Sequence, residues 1–220
     1  MLALLTENVY TISVMKNEKN YAEAIRMRIK RAKAGTVFVM ADFADVAPNN
    51  AANRVIARLV EAGQLLVVLR GVYQKPKISK FLKENVKPTP DEVARAMARK
   101  NGWTIRPDGD AALNQLGLST QVPAAWNYLS DGPYKKYTFS SGTLVFKHTA
   151  NRLLGNLSWQ AALVVQALRA LGQEHVSTET IRRLADCFDN ASWEAISREA
   201  QSVPDWIRTV IAKVMESRHE

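Results

Sequence analysis

Asn50, Asn53, Arg54 and Arg58 fall within two turns of one predicted helix and share its polar face. An asparagine amide can pair bidentately with adenine, and a guanidinium with guanine. Each such pair is worth ~1–3 kcal/mol of base discrimination, so this face suits readout of a DNA major groove. Asn49 stands at the same helix start. Downstream, Arg70 and Gly71 sit at the tip of a predicted two-stranded wing, where Arg70 can reach an adjacent minor groove. Lys75 and Lys77 follow as phosphate contacts, which position a protein without reading sequence. The plainer alternative is a solvated face on a helix that docks protein.

Other chemistry finds little support. His148, His175 and His219 are far apart, and no HExxH, CxxC, Walker loop or GxGxxG is present. His148 falls on a predicted strand and reads as structural. Cys187 lies among Leu184, Ala185 and Phe188 and reads as a buried small hydrophobe rather than a nucleophile. A metal-dependent nuclease needs two or three carboxylates near a lysine. Asp108 and Asp110 are close, but capping of a helix start explains them, and turn chemistry explains Asp131. No catalytic residue, metal ligand or cofactor is therefore expected. Lys135, Lys136, Lys147 and Arg152 form a second basic group, for DNA, an acidic partner or solvent alone. Trp126, Tyr128, Tyr134 and Tyr137 read as sheet core and edge rather than a base-stacking platform.

The elements that must hold these residues follow from periodicity and punctuation. Tyr21, Ile25 and Ile29 recur at helical spacing in residues 20–34, and Gly35 ends that helix. Thr36 to Val39 is β-branched and suits a first strand. Ala41 to Val46 reads as a short second helix anchored by Phe43. Pro48 breaks the chain, and Asn49 or Asn50 can cap a third helix over 51–62. Its apolar side is Ala52, Val55, Ile56, Leu59 and Val60. LLVVL and VYQKP then flank Arg70-Gly71 as a tight hairpin. Residues 75–90, basic and punctuated by proline, read as a linker or surface loop. Beyond it come a helix at 91–101, a short strand in WTIRP, a helix at 108–116 and three strands in the text from Ala124 to Thr149. Helices close the chain at about 158–171, 177–188, 192–201 and 204–217, with Ser158 and Thr178 as caps and Pro204 at the start of the last.

Composition bounds the partners. The chain has 220 residues, 47% of them apolar, and a net charge of +9. Residues 1–83 hold 14 Lys and Arg against 6 Asp and Glu, and the remainder hold 16 against 15. Nearly all the excess charge thus lies in the segment with the predicted helix and wing, where it attracts a polyanion. A single cysteine permits no intrachain disulfide and points to a reducing cytoplasm. No apolar run approaches a membrane span, and the opening lacks the basic stretch of a signal peptide. Residues 1–15 show no periodicity and read as a loose arm, with Met15 as well as Met1 a candidate start.

The run RLVEAGQLLVVLRGVYQKP followed by PTPDEVARAMARKNGWTIRPDGDAALNQLGLSTQVP resembles the AbiEi-like antitoxins of bacterial type IV toxin–antitoxin systems. The match rests on the RGVY wing with its following proline, the run ending LGLSTQVP, and the strand text ending FKH. It covers roughly residues 20–150. The resemblance implies an N-terminal winged helix and a C-terminal antitoxin domain. It implies repression of the protein's own operon through inverted repeats, and counteraction of a nucleotidyltransferase-like toxin encoded nearby.

These readings combine into an α+β protein. A winged helix-turn-helix at about 17–80 binds double-stranded operator DNA. A mixed α/β domain at about 88–220, ending in helices, serves regulation or antitoxicity. The expected function is that of a cytoplasmic, DNA-binding transcriptional autoregulator and antitoxin. It is not expected to be an enzyme or to engage a membrane, and it binds as a dimer or as monomers side by side. The alternative is a nuclease-like, nucleic-acid-processing protein delivered by its winged helix.

Overall fold

A computed structural model describes residues 20–150 and 157–218. The N-terminal arm with Met15, the cation Arg152 and His219 lie outside the described residues. The fold is a mixed α+β arrangement of helices and two small sheets. Among the described residues, no helix is long and apolar enough to cross a membrane.

The first unit begins with helix α1, described over residues 20–31. Ile25 and Ile29 are buried on one side of it, while Arg26, Lys30 and Arg31 are exposed on the other. Strand β1 (Val37–Val39) is buried throughout. A 3-10 turn, Met40–Phe43, replaces the expected second α-helix and brings Phe43 into the core. Helix α2 (Asn49–Glu61) follows, and it buries Ala52, Val55, Ile56 and Leu59 at spacings of three and four. Strands β2 (Leu66–Leu69) and β3 (Val72–Gln74) form a hairpin, and the sheet order is β1-β3-β2 with both pairings antiparallel. Its register slips between Val67 and Leu69, a bulge that leads into the turn at Gly71. Gly71 has φ 76°, which costs a residue without a Cβ little.

Helix α3 (Pro90–Asn101) carries a complete capping box: Thr89 Oγ1 accepts from Glu92 N–H, and the Glu92 carboxylate accepts from Thr89 N–H. It packs on β1, the 3-10 turn and β3. The main boundary between the two compact units therefore falls between Gly102 and Trp103, not in residues 80–88. The basic stretch before α3 is a loop within the first unit.

The second unit holds strand β4 (Ile105–Pro107), helix α4 (Asp110–Gln115), and strands β5 (Trp126–Ser130), β6 (Lys135–Phe139, of which Phe139 groups with the first unit) and β7 (Gly142–His148). The sheet order is β4-β5-β7-β6. β4 is antiparallel to β5, whereas β5 and β7 run parallel with Tyr128 opposite Phe146. Phe146 centres an aromatic cluster, with ring centroids 5.5 Å from Trp103, 5.9 Å from Tyr128 and 6.0 Å from Tyr137. Helices α5 (Trp159–Leu171), α6 (Thr178–Ala185), α7 (Asn190–Glu199) and α8 (Asp205–Glu216) complete the unit. Their shared core includes Val164, Leu168, Leu184, Trp193, Ile196 and Ile207. Ser158 caps α5, as its position predicts. Ser177 rather than Thr178 caps α6, because only its hydroxyl sits three residues before the Thr180 N–H.

The turn after β5 is closely fitted. A Cβ built on Gly132 would lie 2.3 Å from Trp103 Cε2, inside any tolerable contact. Gly132 N–H donates to Ser130 Oγ at 3.0 Å, and its carbonyl meets His148 Nδ1 at 2.9 Å, so the backbone has little room to yield. Gly132→Ala is expected to lower stability by about 1–3 kcal/mol. Chemical denaturation checks this, and the cost should shrink when Trp103 is truncated in the same chain.

Candidate nucleic-acid interface

Helix α2 presents its face through its own core. With Ala52, Val55, Ile56 and Leu59 committed inward, Asn49, Asn50, Asn53, Arg54 and Arg58 are left exposed. Glu61 is the one acid in the helix, at its far end. Neither asparagine caps it. Pro48 is the N-cap residue, in extended conformation, and no side chain accepts there. Asn49 and Asn50 instead occupy the first two helical positions, with their amides exposed. The first N–H groups of the helix, where its dipole is positive, flank the same amides.

Arg70 is exposed at the tip of the β2–β3 hairpin. Its backbone carbonyl accepts from Lys100 Nζ, and the Lys100 chain lies within 3.2 Å of the space a Gly71 Cβ would fill. The C-terminal turn of α3 thus holds the hairpin tip.

Lys75 does not belong with these residues. Its ammonium donates to the carbonyls of Ile29, Lys30 and Ala32, at 2.9, 2.9 and 2.7 Å. Those carbonyls lie in and just past the last turn of α1, so the charge closes a helix C-terminus, and its three protons are taken. Lys77, two residues on, is exposed.

Residues 75–90, expected as a basic linker or surface loop, are a surface loop, and it presents further cations beyond Lys75 and Lys77. Lys80, Lys83 and Lys87 are exposed on a closed loop that also carries Lys77. Their spacing of three to four residues was the available signal. Beside the root of this loop, Arg26, Ile29, Lys30, Leu59, Gln64 and Pro76 line a concavity of about 510 Å³.

Elsewhere, charged groups are held by structure. Arg28 makes a bidentate pair with Asp45, both contacts at 2.6 Å, and these hydrogen bonds hold the Asp45 carboxyl below the usual aspartate range. Asp108 is not a cap: Gly109 occupies that position, and the Asp108 carboxylate pairs with Lys147 at 3.0 Å. Lys147 is thereby engaged, while Lys135 and Lys136 are exposed. Asp131 accepts from Thr104 N–H at 2.8 Å. Burial pushes the Cys187 thiol up, away from the thiolate a nucleophile needs. Among the described residues, no three His, Cys, Asp or Glu side chains are placed to hold a metal ion.

Comparison with known proteins gives a family. Residues 24–196 match the model of a family of unknown function, DUF6088, and the chain belongs to that family. Among solved structures, it is similar to the RV2827C protein from Mycobacterium tuberculosis, at 13% identity and a TM-score of 0.37, over 93% of this chain and 78% of that one. No curated protein matches the chain.

The Lys75 contact yields a test. Lys75→Met removes a cation from three carbonyls and is expected to cost about 1.5–3 kcal/mol of stability in chemical denaturation. Unchanged stability with weakened binding to duplex DNA would instead return Lys75 to the phosphate-contacting set.

Proposed function

We propose that this protein is a DNA-binding transcriptional autoregulator whose first unit acts as a winged helix. The observation that carries this reading is the exposed face of α2, where three amides and two guanidinium groups stand together on a well-packed helix. The element order supports it. A helix, a strand, a short turn, a second helix and a hairpin follow one another, and the strand and hairpin form one sheet in the order β1-β3-β2. The charge distribution supports it too, since the excess of cations lies in this half. In the proposed mode, α2 enters a major groove, its Asn and Arg side chains meet base edges, and Arg70 reaches the neighbouring minor groove.

The second part of the proposal is antitoxicity. The run from Pro88 to Pro123 resembles AbiEi-like antitoxins, and on that basis a nucleotidyltransferase-like toxin is the proposed functional partner. Co-expression of the full chain with a nucleotidyltransferase encoded beside its gene tests this part. Rescue of growth supports it, and unrelieved toxicity removes it.

For the DNA part, binding to a duplex from the region upstream of the gene should weaken linearly in log salt concentration. Arg54→Ala combined with Arg70→Ala is expected to weaken it by about 1–3 kcal/mol per residue with folding intact. Fluorescence anisotropy over a salt series checks both. Salt-independent binding, or full affinity in the double variant, would show the docking face to be wrong.

A further inference from the structure

The loop between β3 and α3 is built in an unusual way for a linker. Phe81 is 95% exposed and Leu82 74%, side by side at its tip, with Ile78 at 67% on the same loop. Two adjacent large apolar side chains in water forgo the stabilisation that burial would bring. Yet the loop is not loose. Ile78 and Asn85 bridge it in antiparallel fashion, Ser79 N–H donates to Glu84 O at 2.9 Å, and Val86 N–H donates to Lys77 O at 2.7 Å. Inside that closure, Lys83 N–H reaches Ser79 O at 3.1 Å, and Leu82 N–H reaches Ser79 Oγ at 3.2 Å. Lys83 adopts φ 56°, a left-handed conformation that tightens the turn. Buried Gln74 anchors the base by donating to the Val86 carbonyl at 3.1 Å. Phe81 and Leu82 are thus displayed on a preorganised tip.

The charges around them select the occupant. Lys77, Lys80, Lys83 and Lys87 are all exposed, and Glu84 is the one acid among residues 77–87. Lysine is depleted from the cores of protein–protein interfaces, so an apolar tip ringed by lysines fits a polyanion better than a protein pocket. The root of the loop, at Lys75 and Pro76, shares a concavity with Leu59 and Gln64 at the C-terminal end of α2. The tip is therefore rooted beside the helix that carries the Asn and Arg face.

We propose that Phe81 and Leu82 form an apolar wedge that enters the DNA minor groove and partly unstacks a base step, while the surrounding lysines hold the flanking phosphates. Proteins that bend DNA insert apolar side chains of this kind and recover the unstacking cost through the wider contact that the bend allows. This inference rests on the proposed DNA binding. It adds that the DNA is kinked, and that flexible pyrimidine–purine steps are favoured at a position α2 does not read.

The test compares the full-length wild type with a Phe81→Ala, Leu82→Ala double variant on the upstream duplex, end-labelled for energy transfer and carrying 2-aminopurine at successive steps. The wild type is expected to shorten the end-to-end distance and to brighten 2-aminopurine at one step. The double variant should lose both signals and bind roughly tenfold more weakly, with its salt slope unchanged, since no cation is removed. A Lys80→Gln, Lys83→Gln variant should lower the salt slope by about one per residue. Equal bending and affinity in the Phe81/Leu82 variant, with Arg54→Ala and Arg70→Ala still weakening binding, would overturn the wedge and leave the DNA reading standing. An unchanged salt slope in the lysine variant would likewise count against the loop as a DNA contact. Absence of duplex binding by the wild type would overturn both. If the Phe81/Leu82 variant instead loses binding to phosphatidylserine vesicles while DNA binding is untouched, the occupant is a lipid surface and the wedge is wrong.

Discussion

The carboxylate of Asp42 joins the elements of the first unit. Arg99 of α3 grips it through Nε at 2.8 Å and a terminal nitrogen at 3.1 Å, and the same terminal nitrogen donates to Val37 O at 3.0 Å. The carboxylate also accepts from Val39 N–H at 2.9 Å, closing the 3-10 turn. Arg28 of α1 donates to the backbone carbonyl of Asp42 and pairs with Asp45 on the same turn. A lone exposed ion pair contributes little. Here the pair is bidentate, Asp42 is mostly covered, and several charge-assisted contacts share one turn, which gives geometric specificity as well as energy. The turn is the step from which the chain leaves β1 and enters α2. Its position therefore sets how the Asn and Arg face of α2 is presented.

Two lysines extend the same logic to the hairpin. Lys75 ties the end of β3 to the end of α1, and Lys100 ties the hairpin tip to the end of α3. The hairpin is thus held at both ends by cations on backbone carbonyls. Positive charge in this half of the chain has two uses, and composition cannot separate them. Lys75 and Arg99 are committed internally, whereas Lys77, Lys80 and Lys83 face solvent. A count of cations overstates what a polyanion can meet. The individual hydrogen bonds say which cations are engaged within the fold and which face solvent.

Much of the local structure was legible in the sequence, because it follows from short-range physics. Ile25 with Ile29, and Ala52 with Val55, Ile56 and Leu59, declare the buried sides of α1 and α2 through spacing alone. Ser158, Gly63, Gly102 and Pro90 mark helix ends by hydrogen-bonding capacity and backbone preference. The strands from 126 to 148 follow from β-branched and aromatic runs broken by turn residues. Where local signals competed, they misled. Pro48 displaced the asparagines as the residue before α2, Gly109 displaced Asp108 before α4, and the short segment at 40–43 tightened to a 3-10 turn.

The sequence by itself therefore determined the α+β class, the elements, and the amphipathic face on α2, since each depends on neighbours within about two turns of chain. The tertiary structure alone decided what joins distant residues. It placed α3 with the first unit, because Arg99 finds its partner 57 residues away. It paired β5 with β7 in parallel, a register no local pattern specifies. It withdrew Lys75 from the candidate interface, and of the two readings of 75–90, linker or surface loop, it chose a braced loop with Phe81 at its tip. A side chain's type and spacing say what it is able to bind. Which partner reaches it first depends on the fold, because the competing carbonyls and carboxylates come from elsewhere in the chain.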